Sequence, residues 1–370
     1  MEFTVQKTDF LREISRIQGV VERKNTIPIL ANVLLDCKQG KVELAATDLE
    51  VGLKTSFPAE VTKEGSITLS AKKLHEIARA LPDAPLKMKG EANHWVTLKC
   101  QNSRFRMVGL PRDDFPTLPE PTLDEGIRIP AGSLKAMIER VLFATTADDA
   151  RYSLNGALFI LRKGFVALIA SDGHRLSFVS REMDVNPSEK EIRVVVPRKA
   201  MSELSKLCAE MDDQEVRFGR QENHLFFQVG GCILDCRVLE GSFPNFDKVI
   251  PKDNDKVLEL RTTEFGDALR RVSLVSEERT RPVKLSLSPG KMEISSQNPD
   301  KGEANESLGV DYDGPEVTIG FNAKYLMDFV NVVGTEKVLL SVKNEMSQGL
   351  LRPQNGEGQD YKYVIMPMRV

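Results

Sequence analysis

The chain has 370 residues, of which 41% are hydrophobic and 28% are charged, a composition typical of globular proteins. Its length predicts two or three domains. The net charge of −3 neither predicts nor excludes nucleic-acid binding, because steering would require segregated charge. No apolar run reaches the length of a membrane span, and the amino terminus lacks the apolar segment of a signal peptide. The cytosol is therefore the expected location.

The predicted elements follow one order three times along the chain: a strand, an amphipathic helix, several strands, a second helix and further strands. The first helices are predicted over residues 8–18, 131–145 and 262–276. The second helices align in their apolar, lysine and acidic positions over residues 69–77, 196–204 and 321–329. Their lysines, Lys72, Lys199 and Lys324, are 127 and 125 residues apart. A period this long indicates a repeated domain.

Strands outnumber helices in each copy, which disfavours a parallel sheet built from alternating strands and helices. We therefore expect an α+β fold of three repeated domains, mainly antiparallel sheets with two helices packed on one face. Turn-rich segments near residues 126 and 254 look like linkers. The predicted domains are residues 1–126, 127–254 and 255–370.

The five cysteines are an odd number and lie mostly in apolar stretches. Cys232 and Cys236 are four residues apart in one predicted strand, but no further ligands lie at the short spacing of a zinc site. Buried, reduced thiols and no metal site are expected.

The segment from Ser171 to Leu176 is the sharpest candidate for chemistry. Asp172, His174 and Arg175 are close enough in sequence to form an acid–base or phosphate-binding site, which would make the chain an enzyme. The alternative is a tight turn, since Asp-Gly is a strong turn signal and the corresponding segment of the first copy, residues 47–50, has no histidine.

Basic residues on the predicted helices are a second signal. Lys72 and Arg79 are seven residues apart, as are Lys199 and Lys206, so each pair shares a helix face. Such a face is often merely solvated. If the helices of all three copies share one side, however, that side would bind phosphates without reading base sequence.

The apolar stretch of residues 364–368 is the third signal. It is either a buried final strand or, because Pro367 interrupts strand pairing and methionines suit adaptable surfaces, the lining of a peptide-binding groove.

Several motifs together resemble one family, the bacterial DNA polymerase III β subunits, or sliding clamps. The motifs are residues 26–32, 47–50, 151–156, 171–176, 243–244 and 363–369. The resemblance implies a head-to-tail homodimer whose six domains form a ring, with helices lining the hole and antiparallel sheets outside. Such a ring encircles DNA, slides on it and performs no catalysis.

The resemblance also implies roles for individual residues. DNA-binding candidates are Lys24, Lys72, Arg79, Arg151, Tyr152, Arg198, Lys199, Lys206 and Lys324. A partner-peptide pocket would comprise Leu154, Ser171, Gly173, His174, Arg175, Leu176, Pro244, Val249, Met346, Val364, Met366, Pro367, Met368 and Arg369. The dimer interface would include Lys73, Phe105 and Met107 of one chain against Leu274, Val275 and Asp300 of the other.

The partners implied are duplex DNA, the replicative polymerase α subunit, the clamp-loader δ subunit and other proteins with a clamp-binding motif. No cofactor, metal or membrane is implied. Thr280, Lys248 and Ser153 depart from residues found in some members, which bears on the pocket and on DNA contacts. A scaffold that binds peptides without encircling DNA is the remaining alternative.

Overall fold

The computed structural model describes residues 1–21, 27–146, 153–356 and 358–369. The chain forms two compact units, one of Met1–Lys135 and Lys199–Val238, the other of Ala136–Arg198 and Leu239–Val370. Each sequence repeat contributes two α-helices. They are α1 (Lys7–Ile17), α2 (Ala71–Ala80), α3 (Ala131–Leu142), α4 (Arg198–Glu210), α5 (Thr262–Val272) and α6 (Ala323–Val333).

The three predicted first helices are present, but α3 and α5 end earlier than the sequence pattern predicts. After Leu142 the backbone tightens, because Ala144 donates to the Val141 carbonyl at 2.9 Å rather than to the residue four back. After α5 a single 3₁₀ turn, Ser273–Val275, follows. Apolar periodicity continues through such turns, so the pattern overestimates the length of the helix.

Strands dominate each repeat. The first repeat has β1 (Glu2–Gln6), β2 (Asn32–Lys38), β3 (Lys41–Thr47), β4 (Val51–Pro58), β5 (Glu60–Lys63), β6 (Gly65–Ser70), β7 (Pro85–Gly90), β8 (Trp95–Cys100) and β9 (Ser103–Val108). The second has β10 (Arg128–Pro130), β11 (Gly156–Arg162), β12 (Phe165–Ser171), β13 (Arg175–Glu182), β14 (Glu191–Pro197), β15 (Glu215–Gln221), β16 (His224–Val229) and β17 (Cys232–Arg237). The third has β18 (Lys256–Arg261), β19 (Pro282–Ser288), β20 (Lys291–Asn298), β21 (Gly302–Gly309), β22 (Val317–Asn322), β23 (Lys337–Val342), β24 (Gly349–Pro353) and β25 (Gln359–Ile365).

Each unit contains one eight-stranded sheet and one smaller sheet. The first unit has the orders β10-β15-β16-β17-β4-β3-β2-β6 and β5-β1-β7-β8-β9. The second has β14-β11-β12-β13-β25-β24-β23-β18 and β21-β20-β19-β22. The strand pairs described in these sheets are antiparallel, which confirms the predicted sheet type.

The helices bury one face, as their apolar spacing predicts. Phe10, Ile14 and Ile17 of α1 are fully buried, and they follow the helical repeat. In β19 the alternate residues Val283 and Leu285 are fully buried while their neighbours are half-buried. Each such side chain contributes about 1.5–3 kcal/mol by leaving water.

Two strand pairs join successive repeats, and the residues of both pairs are aligned in the same way. In the first unit β17 pairs with β4, so that Cys236 lies opposite Val51. In the second unit β25 pairs with β13, so that Ile365 lies opposite Arg175. Val51 and Arg175 are each the first residue of their strand. The last strand of a repeat therefore adds to the corresponding strand of the preceding repeat in the same alignment.

Candidate functional site

The turn between β12 and β13 is built by side chains that bind its own backbone. The Asp172 carboxylate accepts from the amides of His174 and Arg175 at 2.9 and 3.1 Å. The Ser171 hydroxyl accepts from the Gly173 amide at 3.1 Å and donates to the Arg175 carbonyl at 2.8 Å. Gly173 has φ +88°, which suits a residue without a Cβ.

The first repeat has the same turn without a histidine. The Asp48 carboxylate accepts from the amides of Glu50 and Val51 at 3.0 and 2.7 Å, and Leu49 occupies the positive-φ position at 79°. The two turns are built alike, and in both of them the aspartate carboxylate binds amides of the turn backbone. The geometry therefore gives no support to the hypothesis of an enzyme centred on Asp172, His174 and Arg175, since the Asp172 carboxylate is occupied by turn amides and His174 is exposed beside it.

Arg175 is buried in a box of carboxylates and aromatic rings. Its guanidinium donates to Asp172 at 3.0 Å and to Asp328 at 2.6 Å. It stacks over the rings of Tyr325 and Phe143, at 4.2 and 5.2 Å from their centres. Burial acts to lower the pKa of Arg175, but Tyr363, Asp328 and Asp172 outweigh it and hold the pKa above its ordinary value. Arg175 is thus a fixed cation that anchors the turn.

The carboxyl-terminal strand completes the candidate pocket. Val364 pairs opposite Leu176, and both are buried in one cluster against which Val249 packs. Beyond β25, the Met366 amide donates to the His174 carbonyl at 2.9 Å. Residues up to Ile365 form the predicted buried strand, whereas those beyond it lie at the surface, where the predicted peptide groove would be.

The exposed part of the candidate pocket is rich in methionine. Met346 and Met366 are 63% and 38% exposed, although methionine is usually buried. Pro367, Met368 and Arg369 line a cleft of about 450 Å³ together with Met346. Pro244 is exposed, and Leu154 is buried. The structure thus places the predicted pocket residues in a buried floor and an exposed, adaptable rim.

Three departures from the family pattern lie on the surface. The Thr280 hydroxyl donates to Glu277 at 2.7 Å, Lys248 is exposed in a short 3₁₀ helix, and Ser153 is half-buried.

The candidate DNA-binding residues of the first unit differ in how exposed their side chains are and in whether they bind other groups of the chain. Lys72 and Arg79 are exposed on α2. Lys206 pairs with Glu203 at 2.7 Å but is 61% exposed. Lys199 donates to the Val20 carbonyl and to Asp48, so it fixes the first-repeat turn and is less available to a ligand.

In the second unit, Arg198 is exposed and Lys324 pairs with Asp328 at 2.7 Å. Lys24, Arg151 and Tyr152 lie outside the described residues.

A buried charge network was missed by the sequence reasoning. Glu13 of α1 is 2% exposed, and its carboxylate accepts from Arg16 at 2.9 Å and from the Thr55 hydroxyl at 2.5 Å. Arg16 also pairs with Glu210 of α4 at 2.7 Å. The signal was present: Glu13 stands on the apolar face of α1, three residues from Phe10 and from Arg16. Arg16 is therefore a structural cation.

The residues predicted at a dimer interface include exposed apolar side chains. Phe105 is 37% exposed on β9, and Leu274 is 75% exposed after α5. Met107 is buried, whereas Lys73 and Asp300 are exposed and Val275 is half-buried. β9 and β21 are each the outermost strand of their sheet in the described chain. Unpaired strand edges with exposed apolar residues are suited to association.

The described residues show neither a metal-binding cluster nor a membrane-spanning helix. No group of three His, Cys, Asp or Glu side chains among them could hold a metal ion. No helix among them is long and apolar enough to cross a membrane. All five cysteines are free and buried, as predicted, and burial raises the pKa of the Cys37 and Cys208 thiols to about 12.

Three family models match successive parts of the chain. Residues 1–119 match the DNA polymerase III beta subunit N-terminal domain, 128–245 the central domain and 247–369 the C-terminal domain. The chain is 35% identical to the beta sliding clamp of Pseudomonas aeruginosa and 32% identical to that of Escherichia coli, over all of each chain.

Solved structures agree with these matches. The crystal structure of the DNA polymerase III subunit beta from Pseudomonas aeruginosa superposes with a TM-score of 0.93 at 34% identity, over the full length of both chains. The sliding clamp of Caulobacter crescentus gives 0.91 at 32% identity with the same coverage. The chain therefore belongs to the family of DNA polymerase III beta subunits, the beta sliding clamps.

Proposed function

We propose that two copies of this chain join head to tail into a ring that encircles duplex DNA, slides along it and tethers the replicative polymerase. The single observation that carries the proposal is the repeated strand pairing. Twice within the chain, the last strand of one repeat adds to the preceding repeat in one register. β9 is the last strand of the first repeat, and β21 is the third repeat's counterpart of β4 and β13; each keeps one unpaired edge within the described chain.

A second copy supplies the missing pairing. Transferring the internal register places Gly302, the first residue of β21, opposite Met107 of β9. Arg106 then lies opposite Glu303, and Phe105 opposite Ala304. The two edges carry opposite charge, with two arginines on β9 and two glutamates on β21. A heterologous contact of this kind gives a closed ring when its rotation closes.

Sliding requires attraction to phosphates without a fixed register. Lys72, Arg79, Lys206, Arg198 and Lys324 are cations on helices with exposed side chains, and long flexible side chains suit contacts that carry no sequence information. Lys24, Arg151 and Tyr152 remain proposals from the resemblance. The domain boundaries near residues 126 and 254, and action in the cytoplasm, belong to the same proposal.

Partners would dock in the pocket formed by the 171–176 turn and the residues after β25. Its buried apolar floor and methionine rim suit short apolar peptides. The sliding clamp of Pseudomonas aeruginosa has been solved bound to griselimycin. The polymerase α subunit and the clamp-loader δ subunit are the partners we expect here.

Sedimentation tests the ring closure. Wild-type protein should sediment as a dimer, at about twice the 41.3 kDa of one chain. Arg106→Glu places two carboxylates opposite each other and should weaken the dimer about ten- to hundredfold. Adding Glu303→Arg to Arg106→Glu restores opposite charges and should recover most of the loss.

Arg104→Glu is the matched control, because the same register places Arg104 opposite the neutral Asn305. It should weaken the dimer less than Arg106→Glu does. A wild-type monomer at micromolar concentration, or a double variant no better than Arg106→Glu, would contradict the proposed interface.

A further inference from the structure

One sheet face is covered by the following linker in the first two repeats. We call it the linker face; in the first repeat it carries Leu34, Ala45 and Thr68, which lie side by side on three neighbouring strands. Phe115 and Leu118, from the segment after β9, pack against Leu34 and Ala45 in one buried cluster.

The second repeat repeats this packing. Leu158, Ile169 and Val195 lie side by side on the corresponding strands. Phe246, from the segment after β17, joins them in a buried cluster. Each linker therefore folds back over the linker face of its own repeat and fills it with an aromatic side chain.

The third repeat has no large apolar side chain at the same three positions. Here Lys284, Ser295 and Gly320 lie side by side. Among the described residues, Lys284 and Ser295 remain partly exposed, whereas Gly320 is buried. A cleft of about 760 Å³ runs along this face, lined by Lys284, Ser295, Gln297 and Asn305 among others.

The start of the linker path is present in all three repeats. Leu110 donates to the Thr68 carbonyl at 3.1 Å, and Leu239 donates to Val195 at 3.0 Å. Met368 donates to Gly320 at 2.8 Å in the same way. In the first two repeats the chain continues from this point across the face, whereas only Arg369 follows Met368 among the described residues.

The open face is continuous with the candidate peptide pocket. The 760 Å³ cleft and the 450 Å³ cleft share Lys284, Met368 and Arg369 as lining residues. Two of these three are cations, and neither forms an ion pair within the described residues. Four carboxylates also line the two clefts: Glu293 pairs with Lys291 at 3.0 Å, Glu277 accepts from the Thr280 hydroxyl, Glu303 lies opposite Arg106 in the proposed dimer, and Glu345 lines the smaller cleft.

We propose that the linker face of the third repeat is a second docking surface for partner proteins, filled in trans by an extended polar segment that flanks the pocket-binding peptide and carries a carboxylate between Lys284 and Arg369. Serine and amide side chains along the cleft offer hydrogen bonds to an extended backbone. The inference rests on the proposed peptide pocket, and it specifies what lies beside the peptide.

Synthetic peptides test the inference. The core probe is the pocket-binding motif of the polymerase α subunit alone. Further probes add a six-residue flank to one end or the other of this core. In each flank serine alternates with one other residue, which is aspartate, lysine or asparagine. The aspartate flank at one end should tighten binding about three- to tenfold over the core, as a few exposed ion pairs allow. The gain should shrink at high salt, and the lysine flank should give none.

Lys284→Glu should abolish the gain from the aspartate flank, measured as the ratio of the affinities of the flanked and core peptides, because Lys284 lines both clefts and the variant can also change binding of the core. Lys163→Glu is the matched control, because Lys163 is exposed at the β11–β12 hairpin, outside both clefts, and undergoes the same charge change. Equal affinity of the core and both aspartate-flanked peptides, or a gain that survives Lys284→Glu, overturns the inference while the pocket stands. Failure of every peptide to bind overturns both.

Discussion

At the scale of single residues, Asp235 is a buried acidic residue of the first unit. It lies on β17 opposite Gly52 of β4, where a Cβ would collide with its carboxylate. Burial raises the pKa of Asp235 to about 6, only partly offset by Lys54, and Asp48 raises it further. Gly52 is therefore required by the carboxylate that packs against it.

This geometry predicts a pH-dependent stability. The unfolded carboxyl has a pKa of about 3.9, so between about pH 4 and 6 the folded state binds more protons than the unfolded state. The free energy of unfolding contributed by Asp235 therefore falls as pH rises through this window and stays low above it. Asp235→Asn removes the ionisable group and should stabilise the first unit at pH 8, by on the order of 2 kcal/mol.

Urea unfolding of both proteins from pH 4 to 8 measures this effect. The stability of the variant relative to wild type should increase as pH rises from about 4, and the difference should reach its full size by about pH 6 to 7. A difference that is the same at every pH would show that Asp235 does not titrate in this range.

Residue roles were the least predictable feature of the sequence. Lys72 and Lys199 occupy equivalent positions, yet Lys72 is exposed and Lys199 is bound to Asp48 and Val20. The partner of a lysine depends on which turn the fold brings beside it, and the spacing of one helix contains no information on that. The same limit concealed the box of Tyr325 and Phe143 around Arg175.

At the scale of elements, the end of β25 is the boundary between the paired strand and the residues proposed to bind partner peptides. β25 pairs with β13 along its whole length and with β24 from Tyr363 to Ile365, whereas Met366 and Met368 make single backbone bonds to His174 and Gly320. Removal of residues 366–370 should therefore leave the sheet intact and abolish binding of the polymerase α-subunit peptide, because the exposed rim of the pocket is lost.

Fluorescence anisotropy of the labelled peptide, with sedimentation of the truncated protein, checks this expectation. The truncated chain should remain dimeric, since neither β9 nor β21 is altered. Peptide affinity within threefold of wild type would show that the pocket lies elsewhere. Loss of the dimer as well would show that the segment supports the fold.

Element order was predictable because the three copies of the sequence reinforce one another. Strand pairing between repeats was not, since the 3.6-residue and two-residue periodicities describe each element alone. The residues after β25 illustrate this: a run of apolar residues looks the same whether it lines a core or a rim, and only the partners of Met366 and Val364 distinguish them.

At the scale of the whole molecule, repetition explains both the assembly and its asymmetry. The same edge pairing that joins repeats within the chain is available between chains, at β9 and β21. The linker faces differ, however: two are filled by the chain itself, whereas the described residues leave the third partly open. A ring assembled from such chains would hold DNA by its topology and hold partners at the one open face of each subunit.

Retention on DNA tests the ring most directly. Protein loaded onto nicked circular DNA by its clamp loader should stay bound during gel filtration, since a closed ring cannot leave a circle. Cutting the circle once with a restriction enzyme should release most of the protein within minutes, because a ring that slides without sequence preference runs off an end. Equal retention on circular and linear DNA would contradict encirclement and leave a scaffold that binds DNA or peptides only at its surface.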